Sequence, residues 1–174
     1  MTDILKYICS VLDEENIQYM ISGSFAMNLY TIPRMTRDID IVIHIETEKV
    51  DSFLNRLGIN FYYNKEAIKI EVQRHGMFNI IETNSGIKID FIVRKTDEYR
   101  LVEFDRRKKT SAYGFDTWVV SPEDLILSKL IWCNQLRSDR HIDDISNLLE
   151  YEHLDKDYVL GWIKKMNLNS FMLL

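Results

Sequence analysis

Residues 38 to 45 read Asp-Ile-Asp-Ile-Val-Ile-His-Ile, the clearest strand in the sequence and the stretch that decides the fold. Side chains alternate across a strand, so Asp38 and Asp40 share one face while isoleucines share the other. Aspartate is depleted in strands, and two carboxylates on one face repel each other. The pair therefore predicts a cation site, although a solvated edge strand is its commoner meaning when it is taken alone.

A third aspartate lies on a second strand predicted at residues 87–93. If this strand is a close neighbour of the first, about 5 Å away, Asp90 joins Asp38 and Asp40 around one locus. Oxygen ligands of this kind suit Mg²⁺ or Mn²⁺, and two ions roughly 3.5–4 Å apart serve the attack of a hydroxyl on a phosphate. We predict that these three aspartates are both the metal ligands and the catalytic residues.

Gly23 and Ser24 lie upstream, between a strand predicted at residues 17–22 and a helix predicted at residues 25–30. Glycine permits close backbone approach, and a helix N-terminus offers free N–H groups to an anion. A plain turn with a serine cap explains the dipeptide in isolation. Its position just ahead of the acidic strand favours a phosphate-binding turn.

The order of these motifs resembles a known superfamily. Gly23-Ser24, an interval of 13 residues and then Asp38-Ile-Asp-Ile41 are similar to the signature of the DNA polymerase beta-like nucleotidyltransferases. Asp90 matches their third carboxylate. The AbiEii-type minimal nucleotidyltransferases are more closely similar, on the segments ISGSFAMNLY, RMTRDIDIVI, GMFNIIETNSGIKIDFIV, SPEDLILSKL and RHIDDISNLLE.

This resemblance implies an α/β (α+β) fold: a mixed sheet flanked by helices, with a small helical C-terminal part. Residues 1–120 would form the catalytic core, and residues 121–174 the helical part packed on it. Gly23 and Ser24 would hold the triphosphate of an NTP. Asp38, Asp40 and Asp90 would complete the site with Mg²⁺ or Mn²⁺, two ions being expected.

Several basic residues are candidates for contact with phosphate. Arg37 adjoins the acidic strand and is the better placed candidate, whereas a surface charge explains Arg34 at least as well. Lys129 lies in an almost wholly apolar helix, where a lysine must reach solvent or meet an anion. The resemblance places it near the phosphates. The run Arg-Arg-Lys-Lys at residues 106–109 is ordinarily a solvated patch, with an RNA backbone as the alternative partner.

Other residues are given structural roles. We interpret Asp143 and Asp144 as support for the start of a helix, through its dipole. The three tryptophans, Trp118, Trp132 and Trp162, are interpreted as core anchors and not as base-stacking surfaces.

The remaining elements follow from periodicity and capping signals. Ser121-Pro-Glu-Asp124 marks the start of a helix that runs to about residue 136. Further elements are predicted as a helix begun by Thr47, a helix at residues 64–74 with a strand as its alternative, a strand at 77–82, a helix at 97–107, a strand at 117–120 and helices near 139–150 and 156–166.

Composition restricts the class of protein. The net charge of -5 argues against a nucleic-acid coat over the whole chain, and two distant cysteines suggest no disulfide framework or zinc site. No run of 18 apolar residues and no signal-peptide layout are present, so we expect no membrane partner and a cytoplasmic location.

The sequence as a whole predicts an enzyme that moves an NMP from an NTP to an acceptor hydroxyl, which belongs to RNA (tRNA) or to a protein. The resemblance suggests the toxin of a toxin–antitoxin pair, with an antitoxin protein as a possible partner. Two rivals remain: a catalytically silent nucleotide- or partner-binding domain, and a metal-dependent phosphodiesterase.

Overall fold

The computed structural model describes the whole chain, residues 1–174. It contains eight α-helices and seven strands. In chain order these are α1 (Thr2–Glu14), β1 (Gln18–Ile21), α2 (Gly23–Met27), β2 (Asp38–His44), α3 (Val50–Leu57), β3 (Phe61–Tyr62), α4 (Lys65–Gln73), β4 (Met77–Glu82), β5 (Lys88–Val93), α5 (Glu98–Asp105), β6 (Lys108–Ala112), β7 (Phe115–Val119), α6 (Pro122–Gln135), α7 (Asp139–Leu149) and α8 (Lys156–Met166).

The seven strands form one mixed sheet in the order β3-β4-β5-β2-β1-β7-β6. β2 lies at its centre, parallel to β5 and antiparallel to β1. β4 and β5 form an antiparallel hairpin through the segment Thr83-Asn-Ser-Gly86, which has the composition of a hairpin turn. The expected mixed sheet flanked by helices is therefore confirmed.

Along β2, buried and partly exposed side chains alternate, so one face of the strand contacts the hydrophobic core and the other faces the open side of the sheet. Ile39, Ile41 and Ile43 are fully buried, whereas the residues between them are half-buried. The isoleucines belong to a single cluster of 39 buried hydrophobic residues, which extends from α1 to α8. One face of the central strand thus anchors the core and leaves the other free for polar side chains.

α6 begins where the sequence predicts it. The Ser121 side chain accepts a hydrogen bond from the backbone N–H of Asp124, and Pro122 occupies the first helical position. Ten residues of this helix are buried, from Pro122 to Leu130 and at Cys133. None of the helices is long and apolar enough to cross a bilayer.

The structure differs from the sequence-based elements at three places. β6 was not predicted, because Lys108–Ala112 is a polar edge strand without alternation and pairs only with β7. The two-residue β3 is too short to leave a pattern. Thr47 makes no capping hydrogen bond, because Thr47–Lys49 forms one 3₁₀ turn before α3 begins.

Candidate active site

The three aspartates lie side by side on the open face of the sheet. β2 and β5 are parallel neighbours, and their register sets Asp40 directly opposite Asp90. Asp38 lies one pleat away from Asp40 on the same face. The assumption that the two strands are adjacent is therefore correct.

The three carboxylate groups do not converge on one position where they could bind the same ion. No three histidine, cysteine, aspartate or glutamate side chains lie close enough together to hold a single ion. Two of the three have protein partners instead: Lys88 Nζ lies 2.6 Å from Asp90 Oδ2, and Thr36 Oγ1 donates to Asp38 Oδ1 at 2.9 Å. Lys88 was not predicted from the sequence, although it lies two residues before Asp90 on β5 and so shares its face of the sheet.

Asp40 is the carboxylate without a partner. It forms no side-chain hydrogen bond and no ion pair, and burial together with the charges of Asp38 and Asp90 raises its pKa to about 6. A half-buried carboxylate between two others is stabilised by a cation. Carboxylate oxygens are the hard donors that a divalent ion such as Mg²⁺ prefers, so the chemistry of these residues suits such an ion although the three side chains do not converge on one point. Lys88, whose pKa is raised by its bond to Asp90, supplies part of that positive charge in the protein itself.

Gly23 packs directly against Asp40. Its φ is +59°, and a Cβ built on it would lie 1.9 Å from Asp40 Oδ2. Glycine is therefore required twice over, by the backbone conformation and by the close approach of the carboxylate. The start of α2, which lies two residues earlier than predicted, is therefore in contact with the acidic strand.

An ion-paired network joins Ser24 to the C-terminal helices. Arg34 Nη2 donates to Ser24 Oγ at 2.9 Å, and its Nε and Nη2 bind Asp144 at 3.1 and 2.9 Å. Lys129 Nζ binds the same Asp144 carboxylate at 2.8 Å. Burial alone would raise the pKa of Asp144, but the hydrogen bonds from Arg34 and Lys129 outweigh it and hold the pKa below its usual value.

This network corrects two interpretations. Arg34, not Arg37, reaches the cavity, and Arg37 is exposed without side-chain partners. Asp144 does not support a helix start, because α7 begins at Asp139 with Ser138 as its cap and Asp144 is buried in its middle. The anion that Lys129 meets is this protein carboxylate.

A cavity of about 400 Å³ connects these groups. Its wall includes Gly23, Ser24 and the three aspartates of the sheet, then Lys129 and Asp144. Trp132 also lines it with 49% of its surface exposed, so its interpretation as a core anchor is wrong. Trp118 and Trp162, by contrast, are half-buried and pack against the core.

Arg100, Glu103 and Ser128 form a fixed polar cluster on the cavity wall. Arg100 Nη1 donates to both Glu103 oxygens at 2.8 and 2.9 Å and to Ser128 Oγ at 2.6 Å. Ser128 also hydrogen-bonds to Glu103. Burial raises the pKa of Glu103, and its bond to Arg100 opposes that effect.

Half of the basic run at residues 106–109 has a structural role. Arg106 binds Asp124 and Glu123, and its guanidinium lies 3.8 Å from the ring centroid of Tyr158. Arg107 lies over the ring of Phe104. Only Lys108 and Lys109 are exposed, so the run is not a uniform solvated patch.

The fold, a mixed seven-stranded sheet flanked by helices, is that of nucleotidyltransferases of the polymerase beta type. Residues 8–164 match the family model described as nucleotidyl transferase AbiEii toxin, type IV TA system. The chain belongs to this AbiEii nucleotidyltransferase family. A search of curated protein sequences finds no match.

Solved structures with similar folds are nucleotidyltransferases of low sequence identity. The antibiotic-resistance factor ANT(2'')-Ia, in complex with adenylyl-2''-tobramycin, is 16% identical with a TM-score of 0.64; the match covers 95% of this chain and 98% of that chain. The lincomycin-bound lincosamide antibiotic adenylyltransferase LnuA is 17% identical with a TM-score of 0.57, over 84% of this chain and 95% of that chain. An antigenic nucleotidyltransferase-like protein from Paracoccidioides brasiliensis is 17% identical with a TM-score of 0.56, over 95% and 88%.

Proposed function

We propose that the protein transfers an NMP from an NTP to an acceptor hydroxyl and releases pyrophosphate. The acceptor oxygen forms a bond to the α-phosphorus while the bond from this phosphorus to the bridging oxygen of the pyrophosphate breaks. The observation that carries the proposal is the unpartnered Asp40 between two carboxylates, in contact with the Gly23 turn. Catalysis would consist mostly of positioning and charge neutralisation.

The three aspartates would hold divalent ions, Mg²⁺ or Mn²⁺. Such ions, when bound, neutralise charge on the reacting phosphate and favour ionisation of the attacking hydroxyl. Asp90 faces the open side of the sheet, where the carboxylate can accept the proton of the acceptor. Lys88 would then balance the charge of Asp90 whenever the ions are not bound.

The triphosphate would lie against Ser24, Arg34 and Lys129. All three groups line the cavity; Arg34 and Lys129 already bind an anion, the carboxylate of Asp144, and Ser24 accepts a hydrogen bond from Arg34. Guanidinium and ammonium groups that hold a carboxylate also suit phosphate oxygens, and a serine hydroxyl can donate to them. Arg37 is exposed and does not line the cavity, so we do not assign it this role.

Trp132 offers the nucleobase an exposed aromatic surface three residues along α6 from Lys129. Stacking on such a ring contributes about 1–3 kcal/mol per base. We therefore expect Trp132→Ala to weaken NTP binding at least fivefold and Trp132→Phe to retain most of it. Isothermal titration with each NTP measures this, and equal affinities for Trp132→Ala and the unmodified protein would exclude the stacking surface.

Labelled NTPs test the reaction. The protein is incubated with each of the four labelled NTPs, Mg²⁺ or Mn²⁺, and either total tRNA or cell extract. Transfer of label should occur with one acceptor class and be lost in Asp40→Asn but not in Asp116→Asn, a matched change at an exposed aspartate of β7. Nucleotide binding without transfer under every condition would instead support the silent binding domain.

The family description supports a further proposal, that this chain is the toxin of a toxin–antitoxin pair acting in the cytoplasm. Induced expression should then arrest growth of a bacterial host, whereas expression of Asp40→Asn at the same level should not. Growth arrest by both forms would show that toxicity does not depend on this site. Harmless expression of the active enzyme would contradict the toxin assignment.

A further inference from the structure

Lys88 is the one cation that contacts the carboxylates of the candidate site. Its Nζ lies 2.6 Å from Asp90 Oδ2, and no other lysine or arginine forms an ion pair with any of the three aspartates. The register of β2 and β5 sets Lys88 opposite Asp38, just as it sets Asp90 opposite Asp40. Opposite and alternate residues share one face of a sheet. Three carboxylates and one ammonium therefore form a two-by-two array on the open face.

This array accounts for the separation of the three carboxylates. Lys88 binds Asp90 through Oδ2, while Thr36 donates to Asp38 Oδ1 at 2.9 Å. Asp40 has no such donor and packs against Gly23 instead. Two of the three carboxylates are thus held by donors of the protein itself, and no three acidic side chains lie close enough to bind one ion.

The ion pair of Lys88 and Asp90 is too exposed to have a mainly structural role. The side chain of Lys88 is 44% exposed and that of Asp90 11%. Exposed ion pairs contribute little to the free energy of unfolding, because water already solvates the charges and a long side chain loses conformational freedom. The effect of Lys88 is therefore expected in ligand binding and not in folding.

An ammonium on Asp90 competes with a divalent ion for the same carboxylate. Carboxylate oxygens are preferred ligands of Mg²⁺ and Mn²⁺. Two cations that share one carboxylate repel each other, so the presence of either one weakens binding of the other. The long, flexible side chain of Lys88 is nearly half exposed, which lets its ammonium leave Asp90 for water without a change of the backbone.

We propose that Lys88 is a positioning residue that holds Asp90 in the empty protein and competes with a divalent ion for it. Lys88 thereby keeps the affinity of the empty site for divalent ions low, and its departure frees Asp90 for its part in the reaction. This inference rests on the proposed function, which makes Asp90 an ion ligand, and adds a residue that controls when Asp90 is available.

Binding of Mn²⁺ in the absence of NTP measures this competition without any turnover. Free Mn²⁺ is determined by electron paramagnetic resonance at pH 8, where Asp40 is ionised. Variants are Lys88→Met, Lys88→Arg and, as an exposed control outside the cavity wall, Lys108→Met. Asp90→Asn is measured alone and in combination with Lys88→Met. Thermal unfolding in EDTA verifies that each variant is folded.

We expect Lys88→Met to bind Mn²⁺ about tenfold more tightly than the unmodified protein, because the competing charge is lost. Lys88→Arg keeps a cation that reaches Asp90 and should retain the low affinity. Lys108→Met should match the unmodified protein within about twofold, since its charge is distant and screened. In the Asp90→Asn background, Lys88→Met should change the affinity less than about threefold, because the contested carboxylate is absent.

Equal Mn²⁺ affinities of Lys88→Met and the unmodified protein would overturn the inference. So would a gain of the same size in the Asp90→Asn background, because Lys88 would then act only as a general surface charge. Absence of Mn²⁺ binding by every protein would overturn both this inference and the metal dependence of the proposed function. The expected Mn²⁺ affinities without any label transfer would contradict the proposed function alone.

Discussion

At neutral pH, the ionised carboxylate of Asp40 lowers the free energy of unfolding of the metal-free protein. Its pKa of about 6 in the folded protein exceeds the value of about 3.9 of an unfolded chain. The folded state therefore binds this proton more tightly, and the stability gained is complete below about pH 4 and is lost as the pH rises through 6.

Asp40→Asn removes this ionisation. In excess EDTA, we expect its free energy of unfolding at pH 7.5 to exceed that of the unmodified protein by about 3 kcal/mol. The difference should decrease as the pH falls through 6 and vanish below about pH 4. Urea unfolding at several pH values measures it, with Asp116→Asn as the exposed control. A pH-independent difference would contradict the raised pKa.

Gly23 and Gly58 offer a matched pair of substitutions. Both have positive φ, +59° and +76°, but only a Cβ at Gly23 meets Asp40, whereas one at Gly58 meets nothing within 4 Å. Gly58→Ala should cost about 1 kcal/mol through the backbone alone. Gly23→Ala should cost more and reduce transfer at least a hundredfold, because a displacement of about 1 Å at reacting groups has that effect. Similar activity in the two variants would show that contact with Asp40 is unimportant.

At the residue level, local patterns predict one part of the site and miss the other. Alternation along β2 is sufficient to place Asp38 and Asp40 on one face, whereas Asp90 also needs the pairing of β5 with β2. The same alternation places Lys88 and Asp90 on one face of β5. Asp144, however, meets Arg34 across 110 positions of the chain. Contacts of that range depend on how α6 and α7 pack, which no local pattern contains.

At the level of the elements, α6 is capped by Ser121, the residue that precedes it. Ser121 is fully buried; its hydroxyl accepts from the Asp124 N–H and donates to Asp124 Oδ2 at 2.7 Å. We expect Ser121→Ala to lower the free energy of unfolding by about 2 kcal/mol, since a cap and a buried carboxylate contact are both lost.

Ser138→Ala at the start of α7 is the control. The Ser138 hydroxyl accepts a hydrogen bond from the backbone N–H of His141 at 3.4 Å and has no carboxylate partner. The free energy of unfolding should therefore fall by only about 0.5–1 kcal/mol. Chemical denaturation compares the two variants. Equal losses of stability would mean that the hydrogen bond from the Ser121 hydroxyl to the Asp124 carboxylate does not stabilise the folded protein.

Elements with strong periodicity or caps were predictable, and weak ones were not. The helix at residues 64–74 is confirmed as α4, capped by Asn64, and its strand alternative is rejected. β6 has the composition of a solvated loop and becomes a strand only through pairing with β7. Edge strands of this kind are determined by their neighbours, not by their own sequence.

For the whole molecule, one continuous hydrophobic cluster crosses the predicted boundary at residue 120. Tyr99 and Arg34, both from the first part of the chain, bind the backbone oxygen of Asp124 and the carboxylate of Asp144. We therefore predict a single unfolding transition for residues 1–120 and 121–174 together. Calorimetry combined with circular dichroism checks this, and two separable transitions would show independent domains.

The shared carboxylate of Asp144 has an evolutionary consequence. It neutralises both Arg34 and Lys129, and removing one partner of a buried ion pair costs about 3–5 kcal/mol. A lineage that loses Asp144 therefore gains stability by replacing the two cations as well. Across descendants of this fold, we expect these three positions to change as a set, so that their joint loss marks proteins that have abandoned this phosphate site.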